Sequence, residues 1–125
     1  MVDRDLEEKI KAGSRRENPR FRMNLPVSIQ ESDSPDATHS AITRNLSENG
    51  LCVDLKRDLD NGAHMVIRFS VPATREISTI VAHGRVAWKK ENPQGFTYGI
   101  QFILFLGDGG TRLKSYLDSL SKPYL

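Results

Sequence analysis

Residues 15–20 read Arg-Arg-Glu-Asn-Pro-Arg, and residues 45–50 read Asn-Leu-Ser-Glu-Asn-Gly. The first stretch gathers Arg15, Arg16 and Arg20 in a segment that Pro19 keeps irregular, because proline disfavours helix at the residue before it and carries no N–H. Glu17 is the only acid between Ser14 and Arg22, a span with four arginines. Such a cluster repels itself unless an anion or solvent screens it. A guanidinium fork pairs bidentately with phosphate oxygens. It pairs equally well with the O6/N7 edge of guanine, and it stacks on bases. A ligand built of guanines and phosphates would use all of these properties.

The second stretch has a different logic. On a strand, Asn45 and Ser47 point to one face and Leu46 to the other. Asn49-Gly50 predicts a tight turn, with Gly50 at positive φ. The amide and hydroxyl suit hydrogen bonding to a base edge or ribose, and they suit catalysis poorly.

The elements that must position these residues follow from periodicity. Phe21, Met23, Leu25, Val27 and Ile29 alternate with polar residues and predict a strand over 21–30, with Pro26 marking an edge or bulge. Further strands are predicted over 39–46, 51–55, 63–71, 77–90 (bent at Gly84) and 96–106. Leu113, Leu117 and Leu120 give a helix over 111–121 one apolar face. Asp3 to Ala12 suits a short charged helix ended by Gly13. The prediction is an all-β chain: a small six- to seven-stranded antiparallel barrel, a C-terminal helix and a short N-terminal helix. Residues 1–13 form the charged N-terminal segment, and residues 14–125 form the barrel domain.

Composition narrows the function. At 125 residues, mean hydropathy −0.47 and 38% apolar residues, the chain fits one globular domain. No apolar run approaches the roughly 18 residues of a membrane span, and Met1 to Lys11 carries no signal-peptide pattern. Together with a lone cysteine, Cys52, these features predict a cytoplasmic protein without membrane insertion. A net charge of +2 is too small for a general nucleic-acid-binding face. Its distribution, acidic over 3–8 and basic over 15–22, describes a local anion site. His39, His64, His83 and Cys52 lack metal-ligand spacing, so no metal is expected. No acid pair, triad or nucleophile motif is present, so no enzyme and no catalytic residue is predicted.

The two motifs together resemble those of the PilZ domain, a bacterial receptor family for cyclic di-GMP. Arg15, Arg16 and Arg20 match its Arg-rich motif. Asn45, Ser47 and Gly50 match its (Asp/Asn)-x-Ser-x-x-Gly motif. Asn24-Leu25-Pro26-Val27, Gly84-Arg85-Val86-Ala87-Trp88 and Tyr98-Gly99-Ile100-Gln101-Phe102 resemble the family's strands in order. The resemblance covers residues 14 to 120. It implies that Arg15, Arg16, Arg20, Asn45, Ser47 and Gly50 bind cyclic di-GMP, as one molecule or a stacked pair, with no other cofactor. Gly13, Pro19 and the self-repelling arginines predict a loop that changes conformation as the ligand's phosphates neutralise it and that signals to a separate protein partner.

Blander readings stand beside these. The arginines alone could be a solvated loop or partners of the acidic first helix. Asn45 and Ser47 could simply cap a turn. Arg22 and Arg44 read as ordinary strand-face charges, with a place near the site as the alternative for either. Trp88 reads as core or rim packing, with ligand stacking as a secondary role. Two other functions compete: a PilZ-like interaction module that no longer binds the dinucleotide, and a small barrel for single-stranded nucleic acid. The latter needs an aromatic, basic strand face.

Overall fold

The computed structural model describes residues 19–73 and 76–121. The predicted N-terminal helix, together with Arg15 and Arg16, lies outside them. Seven strands precede one helix: β1 (Phe21–Arg22), β2 (Pro26–Glu31), β3 (Thr38–Leu46), β4 (Gly50–Leu55), β5 (His64–Pro72), β6 (Ile77–Asn92), β7 (Gly95–Phe105) and α1 (Gly109–Ser121). The sheet order is β1-β3-β2-β5-β6-β7-β4, and a β3–β4 pairing closes six of the strands into a ring. All pairings are antiparallel. The chain is therefore the predicted barrel, with β1 as an extra strand beside β3. Closure removes the edges that an open sheet would leave to aggregate.

The strand predicted over 21–30 is interrupted at 23–25. Its alternation survives the break: Phe21, Met23 and Leu25 are half-buried, and Val27 and Ile29 are buried. Pro26 has no N–H to give to a ladder, and Thr43 of β3 repairs the gap. Its hydroxyl donates to Met23 O (2.7 Å) and accepts from Leu25 N (3.0 Å), and Thr43 N donates to Leu25 O (2.9 Å). This explains why a threonine is 1% exposed among core residues.

Inward side chains such as Ile29, Val53, Ile67, Ile80 and Ile100 fill the barrel. Tyr98 is fully buried, and its hydroxyl accepts from Leu59 N (2.7 Å) and donates to Arg57 O (2.6 Å), which ties down the loop after β4. Helix α1 adds Leu113 and Leu117 to the same core, whereas Leu120, predicted on that face, is 42% exposed. Arg112 latches the helix to β6 through the Ser78 hydroxyl and Thr79 O.

Candidate functional site

Two bulges shape the outer face. Between β3 and β4 the register passes from Thr43↔Val53 to Asn45↔Cys52, so Arg44 is the extra residue. Between β6 and β7 it passes from Val86↔Ile100 to Trp88↔Gly99, so Ala87 is extra. An extra residue lets two neighbours face the same way. Arg44 and Asn45 thus both leave the core side, and Trp88, which strict alternation would put inside with Val86, comes out.

One cross-strand row results: Trp88 on β6, Gly99 on β7, Cys52 on β4, Asn45 on β3 and Arg22 on β1. The next row holds Lys90, Thr97 and Asp54. The middle of the first row is flat, because Gly99 has no side chain and Cys52 is buried. The Trp88 indole lies across it: a Cβ on Gly99 would come within 2.6 Å of Trp88 Cδ1 and closer still to Nε1 and Cε2. Trp88 is nevertheless 45% exposed, so the expected core or rim packing gives way to an outer-face aromatic.

Arg20 reaches this face and links the two motifs. Its Nη1 donates to Asn45 Oδ1 at 2.8 Å, across 25 residues of sequence. The motif's other residues act on the backbone. Strand β3 ends at Leu46, so Ser47 does not stand beside Asn45 on a strand face. Ser47 is 2% exposed, and its hydroxyl accepts from Asn49 N (3.1 Å) and donates to Gly50 O (3.3 Å). Ser47 N also donates to Gly50 O (2.9 Å), so the side chain caps the turn. Gly50 opens β4 and has no positive φ; among the described residues Gly62, Gly95 and Gly107 do. It is glycine for another reason. A Cβ there would collide with the Ile100 carbonyl oxygen and lie 3.1 Å from its carbon, so Gly50 lets β4 approach β7.

The electrostatics converge on Cys52. Burial pushes its thiol pKa up and Asp54 adds to that, whereas Arg44 and Arg20 pull it down. Asp54 itself is held below the usual carboxylate range. Burial acts the other way, but it is outweighed by hydrogen bonds from the Thr97 hydroxyl (2.5 Å) and Arg44 Nε (2.8 Å). A face with guanidinium groups, an aromatic plate and a flat floor can hold an anionic, stackable ligand. Among the described residues no cluster of His, Cys, Asp or Glu is placed to hold a metal ion, and no helix is long and apolar enough to cross a membrane.

The family model of the PilZ domain matches residues 14–119. The chain belongs to the PilZ domain family. No curated protein sequence matches it. Its fold is similar to that of the Bacillus subtilis inhibitor of motility MotI (TM-score 0.73, 19% identity, covering 90% of this chain and 55% of that one). It is also similar to the PilZ domain of YcgR from Escherichia coli, solved with c-di-GMP (TM-score 0.62, 13% identity, 86% and 92% covered). A third similar structure is the PilZ domain of CeSA from a cellulose-synthesizing bacterium (TM-score 0.57, 14% identity, 83% and 99% covered). This chain thus spans little more than half of MotI.

In this PilZ domain the described structure brings Arg20, Asn45 and Trp88 to one face, with Ser47 and Gly50 building the turn beneath it. Sequence reasoning missed Gly99, Asp54 and Thr97, and it read Arg44 as a strand-face charge that could lie near the site. Gly99 carried a signal: a glycine within a β-branched and aromatic strand marks a bulge or a close approach. Asp54 and Thr97 carried none, because their juxtaposition with Arg44 depends on register.

Proposed function

We propose that this PilZ domain is a receptor for cyclic di-GMP that signals to a separate protein. The single observation that carries the reading is the Arg20–Asn45 hydrogen bond of 2.8 Å. It joins the two motifs beside a flat floor that ends in an exposed tryptophan. The guanidinium fork of Arg20 suits a phosphate or a guanine edge. Asn45 orients Arg20, and Trp88 offers a plate for a base. PilZ domains are receptor and adaptor modules, and this use needs no catalytic group.

Arg15 and Arg16 complete the donor set in this proposal, closing over the ligand as its phosphates neutralise them. Their closure would reposition residues 1–13 and so expose or hide a surface for the partner. Three arginines, each with five N–H donors, could serve more than two phosphates and two guanines, which favours a stacked pair per protein.

Calorimetry with cyclic di-GMP, GTP and an oligonucleotide tests the reading. Only the first should bind, and Arg16→Ala and Arg20→Ala should each weaken it about tenfold to a hundredfold, the loss of one charge-assisted contact of ~1.5–3 kcal/mol. If wild type fails to bind, an interaction module with idle motifs takes its place. Hydrogen exchange tests the closure: residues 5–20 should gain protection with ligand before the barrel strands do. Strong protection without ligand would overturn the switching step.

A further inference from the structure

One row along the same outer face, a cavity of about 220 Å³ opens beside Arg44, Asp54, Lys56, Asn92 and Phe96. Its polar wall is built in layers. Asn92 Nδ2 donates to Thr97 Oγ1 (2.9 Å), Thr97 Oγ1 donates to Asp54 Oδ1 (2.5 Å), and Arg44 Nε donates to Asp54 Oδ2 (2.8 Å). This chain fixes the plane of the carboxylate. Each carboxylate oxygen accepts more than one hydrogen bond. Asp54 lines the cavity and is 46% exposed at its side chain, so its remaining lone pairs are accessible to a ligand. Arg44 also lines the cavity, gives Nε to Asp54 and is 58% exposed at its side chain, which leaves its Nη donors accessible to a ligand. The cavity therefore presents a donor and an acceptor pair side by side.

That order matches one base. Guanine shows O6, an acceptor, next to N1–H and the N2 amine, both donors. Arg44 would donate to O6 while Asp54 accepts from N1–H and N2–H. Adenine shows the reverse order, an amine donor beside the N1 acceptor, and would set like against like. We propose that this cavity is a guanine-reading subsite, with Asp54 and Arg44 as the residues that determine base specificity. The Phe96 side gives the base an apolar wall. The inference rests on the cyclic di-GMP reading and deepens it. Asp54 follows Cys52 by two residues on β4, about 7 Å along the strand, and Cys52 is paired with Asn45. A dinucleotide held at Arg20 and Asn45 can thus place a base here.

The test compares cyclic di-GMP with its inosine counterpart, which lacks the N2 amine, and with cyclic di-AMP. Wild type should prefer cyclic di-GMP over the inosine form by about tenfold or more, one hydrogen bond to a charged group. Asp54→Ala should shrink that ratio to within about twofold, whereas Arg20→Ala should weaken both ligands alike. A second measurement needs no variant: in labelled wild type, NMR signals of residues 54 and 92–97 should shift with cyclic di-GMP. If Asp54→Ala binds with its selectivity intact, or those signals stay still while the ligand binds, the subsite is overturned and the receptor reading stands. If wild type binds no cyclic di-GMP, both fall.

Discussion

Gly99→Ala adds one methyl group to the floor of the outer face and removes no charge, hydrogen bond or motif residue. The new Cβ would stand 2.6 Å from Trp88 Cδ1 and closer to two other indole atoms, so the ring must leave. At 45% exposure about half of the ring rests on the protein, on the order of 100 Å². At ~25 cal/mol per Å² its complete release would cost ~2.5 kcal/mol. Rotation keeps part of the contact, and replacing a strand glycine by alanine recovers ~0.5–1 kcal/mol. A net loss of ~1–2 kcal/mol is expected, or roughly 5–10 °C in Tm for a domain of this size. The effect on ligand should be larger than stability alone suggests. If Trp88 is a base-stacking plate worth ~1–3 kcal/mol, affinity for cyclic di-GMP should fall about fivefold to a hundredfold.

The assay is direct because the chain holds a single tryptophan. Its emission reports Trp88 alone. Wild-type fluorescence should be quenched on titration with cyclic di-GMP, and Gly99→Ala should shift the free protein's emission to the red and weaken binding. Unchanged affinity in a variant whose emission has shifted would refute the stacking role. Unchanged emission would refute the packing geometry itself.

Three further outcomes follow from the geometry. Gly50→Ala should cost ~3 kcal/mol by driving β4 off the Ile100 carbonyl, whereas Ser47→Ala should cost ~1–2 kcal/mol by uncapping the turn; equal melting temperatures would contradict the close β4–β7 approach. Thr43→Val keeps the shape but strips Leu25 N and Met23 O of their partner, so ~2–3 kcal/mol should be lost in chemical denaturation, and a neutral result would mean water repairs the break. Glu31 is held below the usual carboxylate range by hydrogen bonds from Arg57 and then His39. A depressed carboxylate contributes stability above its unfolded pKa and loses it as pH falls through the folded one. Stability should therefore decline below about pH 4.5, and Glu31→Gln should flatten that acid limb; an unchanged limb would assign it to other carboxylates.

Strand existence and order were legible because period-2 alternation survives even where pairing breaks. Val27 and Ile29 stayed inward although residues 23–25, just before Pro26, left the ladder. The helix was legible from Leu113 and Leu117. What was not legible followed from register. Asn49-Gly50 carries the local signature of a positive-φ turn, and nothing local reveals that Gly50 instead faces the backbone of a strand fifty residues away. Ser47 and Asn45 have the right types for a ligand, yet only the strand end at Leu46 separates the residue that caps from the residue that faces out.

Trp88 and Arg44 show how the outer face acquires residues that alternation assigns elsewhere. In a regular strand a side chain cannot leave the core side without moving every neighbour, because a one-residue slip flips the whole face. A bulge confines the flip to one place. Ala87 turns Trp88 outward while Val86 stays 1% exposed, and Arg44 accompanies Asn45 outward while Thr43 and Leu46 stay buried. The two extra residues sit on β6 and β3, and the flat residues between them, Gly99 and Cys52, lie on β7 and β4. The barrel thus keeps a closed core and still presents an aromatic plate at one end of a row and an arginine–asparagine pair near the other. Deleting Ala87 should make Val86 and Trp88 consecutive, and regular alternation then keeps Val86 inside and Trp88 on the outer face with the pairs Val86↔Ile100 and Trp88↔Gly99 intact. The variant should therefore fold with its tryptophan emission unshifted. A blue-shifted emission, from an indole taken into the core, would show that the extra residue does not set the face.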